Sequence, residues 1–203
     1  MGHIQESLYI GLLVKIISVS HSKHAIIVEK FLKVVEFMDN NNKKTHRIVL
    51  FALFASLTVV MTLLFHFPIP YAQGYLNIGD AVVLLAALVM GPGAGFWVGS
   101  IGSALADMIA GYAMYIPFTF FVKGLEGFFA GWLFNKTQKI TLSVALAAFW
   151  MAVGYIFADW FLYGLPAAIA AFPMNLLQGA VGALTSVILF RIIGPIFKNK
   201  FHL

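Results

Sequence analysis

From residue 48 onward the chain runs in apolar blocks separated by short joints rich in proline, glycine or lysine. The first block, 48–66, follows Lys43, Lys44 and Arg47 and stops at HFPIP, where two prolines cannot continue a helix. Gly79 and Asp80 open a second block that ends at Met90 before GPGAG. It is short for a membrane span, which takes roughly 20 residues, so tilt or burial by its neighbours is expected. A third block, 95–110, is broken by YAMYIP; a fourth, 118–134, stops at NKTQK. The fifth, 142–162, ends at YGLP, and the sixth, 167–193, ends before GPIFKNK. Residues 44–200 are therefore expected to form an all-α integral membrane protein, a bundle of six transmembrane helices.

Residues 1–43 do not follow this pattern. LYIGLLVKIISVS is apolar but interrupted by Lys15, too short to span, and lacks a small-residue cleavage site. Over 26–38, Ile27, Phe31, Val34, Val35 and Met38 share one helical face, with Lys30, Lys33 and Glu36 largely opposite. Two readings stand. The segment is an amphipathic helix lying on the membrane surface, or Met38, followed by DNNNKKTHR, is the start of the protein and 1–37 an upstream extension.

Charge in the joints orients the bundle. Lys43, Lys44 and Arg47 precede the first block, Lys136 and Lys139 lie between the fourth and fifth, and Arg191, Lys198 and Lys200 close the chain. The joints after the first, third and fifth blocks carry no Lys or Arg. Basic residues mark cytoplasmic loops, so every cluster agrees on one topology with both termini inside.

Composition sharpens the class. Of 203 residues 61% are hydrophobic and 10% charged, against about 45–50% and about 25% in soluble domains. The net charge of +5 belongs to topology and anionic lipid, and nucleic acid is not an expected partner. With no cysteine, disulfides, thiolate metal sites and cysteine nucleophiles are excluded. No metal, cofactor or catalytic residue is assigned.

Against that apolar background the polar residues sort by depth. His66, Asn77 and Asp80 fall at outer helix ends, and Asp107 in the outer third of the third helix. Lys123 and Glu126 come early in the fourth helix, Asp159 ends the fifth, and Asn175 and Gln178 occupy the outer half of the sixth. Each ionisable group costs roughly 2.5–3.5 kcal/mol in a bilayer, so it needs a partner or a task. Clustering toward one leaflet points to a cavity open to the outer face. Lys123 and Glu126, three residues apart, are placed to neutralise each other. They are expected either to bind ligand or to hold the third and fourth helices together with Asp107. Asp80 is read either as a helix N-cap or as a ligand contact; Asp159 is read either as interfacial or as a ligand contact, and His66 as interfacial. Gly91, Gly93, Gly95, Gly99 and Ser103, Gly127 with Gly131, Gly179 with Ala183, and Ala52 with Ser56 give small-residue faces for close helix approach, within the bundle or to a partner.

The run YLNIGDAVVLLAALVMGPGAGFWVGSIGSALADMIAGY, followed by PFTFFVKGLEGFFAG, resembles the substrate-binding S components of energy-coupling factor (ECF) vitamin transporters. It is most similar to the hydroxymethylpyrimidine or pyridoxine group, a relative of the riboflavin group. The resemblance covers about 44–198. It implies a non-catalytic membrane subunit of a bacterial cell that captures a vitamin at the outer face. It further implies a transmembrane coupling subunit and two cytoplasmic ATPases as partners. The first-helix AxxxA-type docking motif of the family corresponds to Ala52 and Ser56 here, with Ser in the second place. The loop that closes over the ligand corresponds to 71–77, including Tyr71 and Gly74. A GxxxxGK[ST] run is absent, so ATP would be handled by the partners.

The residue chemistry is compatible with that class. A hydroxylated pyridine or pyrimidine wants flat aromatic surface and a few oriented donors and acceptors. Tyr75, Tyr112 and Tyr115 are candidates for the first, and Asn77, Asp107, Lys123, Glu126, Asn175 and Gln178 for the second. Lys123 or Glu126 is expected at a ring hydroxyl or nitrogen and Asn175 at a hydroxymethyl group. The alternatives are another vitamin such as riboflavin or thiamine, a polytopic membrane enzyme, or an ion pathway. No HExxH or paired metal-ligand spacing supports an enzyme, and an ion path should carry polar groups through both leaflets.

Overall fold

The computed structural model describes residues 43–68 and 75–201. The expectations for 1–42, including the amphipathic 26–38 segment and a start at Met38, and for Tyr71 and Gly74, lie outside the described residues. The chain divides into two compact units, Met1–Val49 and Leu50–Leu203. Of the first, 43–49 are described, as the opening turns of a helix; the second holds all the other described residues and the whole of the site.

Helix α1 (Lys43–Leu64) is followed by a minimal antiparallel pair, β1 (Phe67–Pro68) with β2 (Tyr75–Leu76), in the register Phe67 opposite Leu76 and Pro68 opposite Tyr75. The remaining described elements are helical: α2 (Gly79–Met90), α3 (Pro92–Trp97), a π-helical turn (Val98–Gly102), α4 (Ser103–Ala110), α5 (Ile116–Thr137), α6 (Ile140–Tyr163) and α7 (Leu165–Phe201). Counting α3, the π turn and α4 as one interrupted helix, six helical stretches match the six apolar blocks. Three of them are long and apolar enough to cross a membrane: Arg47–Leu64, Ile140–Tyr163 and Leu165–Gly194.

The joints follow backbone chemistry. Gly91 ends α2 at φ +87°, and Pro92, which has no N–H to lose, starts α3. Gly111 closes α4 in the left-handed conformation at φ +85°. α7 runs on through Gly194 and Pro195 to Phe201, beyond the expected end at 193. Within a helix proline forfeits one backbone bond and kinks the axis without always ending it.

The short α2 is buried along all of its length except Met90. A helix that is apolar all round belongs in a core, which explains how twelve residues suffice here. Leu84, Ala87 and Leu88 of α2 meet Ala130 of α5, Val144, Ala147 and Ala148 of α6, and Ala183 and Val187 of α7 in an apolar cluster. Outward faces carry exposed Phe121, Phe128, Trp132, Phe149, Phe157, Phe161 and Leu184, apolar surface of the kind lipid covers. α3 and α5 approach until their backbones touch: a Cβ on Gly95 would lie 2.5 Å from the Gly127 carbonyl oxygen. A Cβ on Gly99 would overlap the Lys123 carbonyl oxygen, and the π turn sits at this contact. Close approach here places Lys123 and Ser103 around one space.

Candidate functional site

Two turns into α5, Lys123 and Glu126 are 2% and 0% exposed. Glu126 Oε2 accepts from the Lys123 ammonium at 3.2 Å, as the three-residue spacing suggests. The stronger tie is across helices, from Lys123 Nζ to Asp80 Oδ1 on α2. This corrects the expectation that Asp107 would be the interhelical partner. It also removes Asp80 from the N-cap: α2 follows Ile78 with no side-chain cap bond at that residue. Asn77 takes up the free end instead, its Oδ1 accepting the Gly79 N–H at 2.8 Å. A lysine buried this deeply outbids a helix terminus for a carboxylate, because an unpaired buried charge costs more than a lost cap.

Gln178 of α7 joins this network to the β2 side. Its Nε2 donates to Asp80 Oδ2 at 3.0 Å, and its Oε1 accepts from the Asn77 backbone N–H at 3.0 Å. One amide thus links α7, α2 and the residue after β2.

Above Lys123 two carboxylates each accept one tyrosine hydroxyl. Tyr75 donates to Asp107 Oδ1 at 2.5 Å, and Tyr115, just before α5, donates to Asp159 Oδ1 at 2.6 Å. Burial, with the carboxylate beside each, raises both phenols above their usual pKa, so they remain donors. Asp159 is a buried side chain, 5% exposed, that lines the cavity, in line with the second of its two sequence readings and against the interfacial one. His66, also read as interfacial, stacks on Tyr75 with ring centroids 3.9 Å apart. Tyr112 completes this aromatic group, 4.8 Å from Tyr75, with its hydroxyl 3.5 Å from His66 Nε2.

These groups surround a cavity of about 40 Å³, room for about three waters. Tyr75, Asn77, Asp107, Tyr112, Tyr115, Lys123, Asn175 and Gln178 all line it. Glu126 does not; it lies behind Lys123 with Oε1 lacking a hydrogen bond. Sequence reasoning passed over Thr62, Ser103, Thr119 and Tyr155, which also line the cavity. Tyr155 carried a signal, being one helical turn before Asp159 on the same face of α6. The hydroxyls of Thr119 and Tyr155 are 3.1 Å apart. Asn175, 7% exposed, has no hydrogen-bond partner among the described residues. Ala52 and Ser56 are exposed on α1 and do not line the cavity. Among the described residues no cluster of metal-ligating side chains occurs.

The arrangement is a small polar chamber walled by tyrosines, with acceptors and donors held by their neighbours. A family model described as the ECF-type riboflavin transporter, S component, matches residues 42–194. An uncharacterized protein in the gap 3′ region of Pyrococcus woesei is 39% identical over 146 residues, 68% of this chain and 98% of that protein. The thiamine precursor transporter HmpT of Lactococcus lactis subsp. cremoris (strain MG1363) is 31% identical over 166 residues, 81% of this chain and 94% of HmpT. Among solved structures, the S component of a bacterial ECF transporter has a similar fold, with a TM-score of 0.63 at 20% identity over 76% of this chain and 99% of that one.

Proposed function

This chain belongs to the family of ECF-type riboflavin transporter S components, and from that premise we propose that its cavity captures a single-ring vitamin precursor, a hydroxymethylpyrimidine or pyridoxine. It is a multi-pass protein of the cell membrane and a transport subunit. The observation that carries the ligand class is the lining of the cavity, three tyrosine rings beside convergent polar side chains. The likeness to a thiamine precursor transporter supports the same choice. In this reading Tyr75, Tyr112 and Tyr115 flank the ring, and Asn175 holds a hydroxymethyl group. The third Lys123 proton, beyond those given to Asp80 and Glu126, meets a ring acceptor.

The wider assembly follows the family. Six spans place both termini in the cytoplasm, as the basic joints suggest. Ala52 and Ser56 on the exposed face of α1 meet a coupling subunit, and two ATPases supply the energy, so the chain itself catalyses nothing.

Riboflavin is the second reading, favoured by the description of the matching family. Mass spectrometry of small molecules released from the purified protein, followed by titration with hydroxymethylpyrimidine, pyridoxine, thiamine and riboflavin, separates the two. Tight binding of riboflavin alone refutes the single-ring assignment; copurification of a coupling subunit and two ATPases supports the assembly.

A further inference from the structure

The joint between α5 and α6 is two residues long, Gln138 and Lys139, and it is tied down. Gln138, at φ +55°, donates from Nε2 to the Phe134 and Asn135 carbonyl oxygens, and the Lys139 N–H bonds Thr137 Oγ1. This turn brings two exposed lysines, Lys136 and Lys139, to one place. Lys136 Nζ lies 4.7 Å from the ring centroid of Trp132, one helical turn earlier. Neither lysine has an acidic partner among the described residues, whose carboxylates line the chamber or pair with Lys123. Lys123 is about 20 Å from Lys136 along α5.

From each lysine an apolar stripe runs along its helix. Lys136 continues the exposed face of Phe128 and Trp132 on α5, and Lys139 begins the exposed face of Leu142, Leu146 and Phe149 on α6. Phe129 and Trp150 meet edge to face, ring centroids 5.2 Å apart, so these two point across the contact between the helices. Phe128 and Phe149 each come one residue before a member of that pair. In antiparallel helices one step back turns both side chains to the same side of the pair. The stripes therefore flank one groove floored by Phe129 and Trp150. α7 packs elsewhere, its Phe190 against Phe134, on the opposite side of α5 from Trp132. Lys136 to Phe128 spans about 12 Å and Lys139 to Phe149 about 15 Å, the depth of one leaflet of a roughly 30 Å hydrocarbon core.

Two cations without counter-ions, each heading an apolar stripe one leaflet deep, match a two-chain lipid with an anionic headgroup. We propose that the α5–α6 groove binds an anionic phospholipid of the cytoplasmic leaflet, its phosphate held by Lys136 and Lys139 and its acyl chains laid along the two stripes. Trp132 sits at headgroup depth, where indole rings favour the interface. A zwitterionic lipid would bring its own cation up to the lysines, and a soluble phosphate would leave the stripes uncovered. The leaflet rests on the topology proposed above; the site itself is independent of which vitamin is bound.

The test uses purified full-length protein, delipidated in detergent. It is titrated with dioleoylphosphatidylglycerol, dioleoylphosphatidylcholine and glycerol 3-phosphate, and bound species are counted by native mass spectrometry. The anionic lipid is expected to bind about 30-fold more tightly than the zwitterionic one, about 5-fold for each lysine, and glycerol phosphate not measurably. Lys136→Gln with Lys139→Gln should bring the ratio below about 3-fold. Arg191→Gln, which removes an exposed charge from the same end of the bundle but on α7, should leave it unchanged. Equal binding of the two lipids by wild-type protein overturns the inference. So does an equal loss in Arg191→Gln, the mark of diffuse surface attraction, or competition by glycerol phosphate, the mark of a bare anion site. An unchanged ratio in the double variant, with a coupling subunit no longer copurifying, gives the face to a protein partner and overturns it as well. Labelling of Gln138→Cys from outside intact cells overturns the topology and the leaflet, while the lipid ratio alone decides the site.

Discussion

Lys123 and Asp80 form an ion pair at 2% and 1% exposure, in surroundings where desolvating each charge costs several kcal/mol. Such a pair is most damaging when half of it is removed. Asp80→Asn is expected to destabilise the protein by about 3–5 kcal/mol, seen as a lower midpoint of thermal unfolding in detergent. Asp80→Asn with Lys123→Met and Glu126→Gln should recover much of that loss, because neither an uncompensated ammonium nor an uncompensated carboxylate remains. If the triple variant is no more stable than the single one, the ion-pair cluster is not the source of the effect. Asn175 contrasts with this. It has no protein partner to lose among the described residues, so Asn175→Ala should leave the unfolding midpoint nearly unchanged and weaken vitamin binding by roughly 10-fold, the worth of one hydrogen bond. Unchanged affinity would remove Asn175 from the binding site. The residue types at the site were legible in the chain because bilayer-depth polar groups stand out. Their partners were not. The Lys123–Glu126 pair is local and follows from helical spacing, whereas Asp80 is 43 residues away and its claim on Lys123 depends on how α2 and α5 pack.

At the scale of elements, α3 and α5 cross where glycines expose their backbones. Gly95 and Gly127 face each other, and Gly131 lies against Gly91 and Pro92. Gly127→Leu has no direction in which to place its side chain and should abolish the folded, monodisperse protein, since overpacking of even a methylene or two costs about 1–3 kcal/mol. Gly93, where an added Cβ would meet nothing within 4 Å, is the control. Gly93→Ala should elute and unfold like the unaltered chain. Size-exclusion profiles of the two variants decide the point. Small-residue spacing announced these faces in the sequence but left open whether they pack internally or against a partner. For the α3–α5 face the answer is internal. The Ala52–Ser56 face is exposed, as a docking surface requires. The π turn had no sequence signal; it lies where Gly99 meets the Lys123 carbonyl, a constraint imposed by another helix.

For the whole molecule, the absence of native cysteine makes topology directly measurable. Single cysteines in place of Ala113 and of Gln138 should label from opposite sides with a membrane-impermeant thiol reagent, Ala113→Cys from outside and Gln138→Cys only after permeabilisation. Labelling of both from one side would break the six-span topology. The apolar blocks, their proline and glycine joints and the basic residues between them were all readable from the chain, because a bilayer imposes length and charge rules on each segment separately. The family, too, was carried by contiguous motifs. What came only from packing is the arrangement inside the chamber: Lys123 given to Asp80, Asp159 turned inward to Tyr115, Glu126 set behind the wall, and Asp107 held by Tyr75. Those outcomes depend on which side chains from separate helices converge, and a buried polar group takes whichever partner its neighbours bring within hydrogen-bond reach.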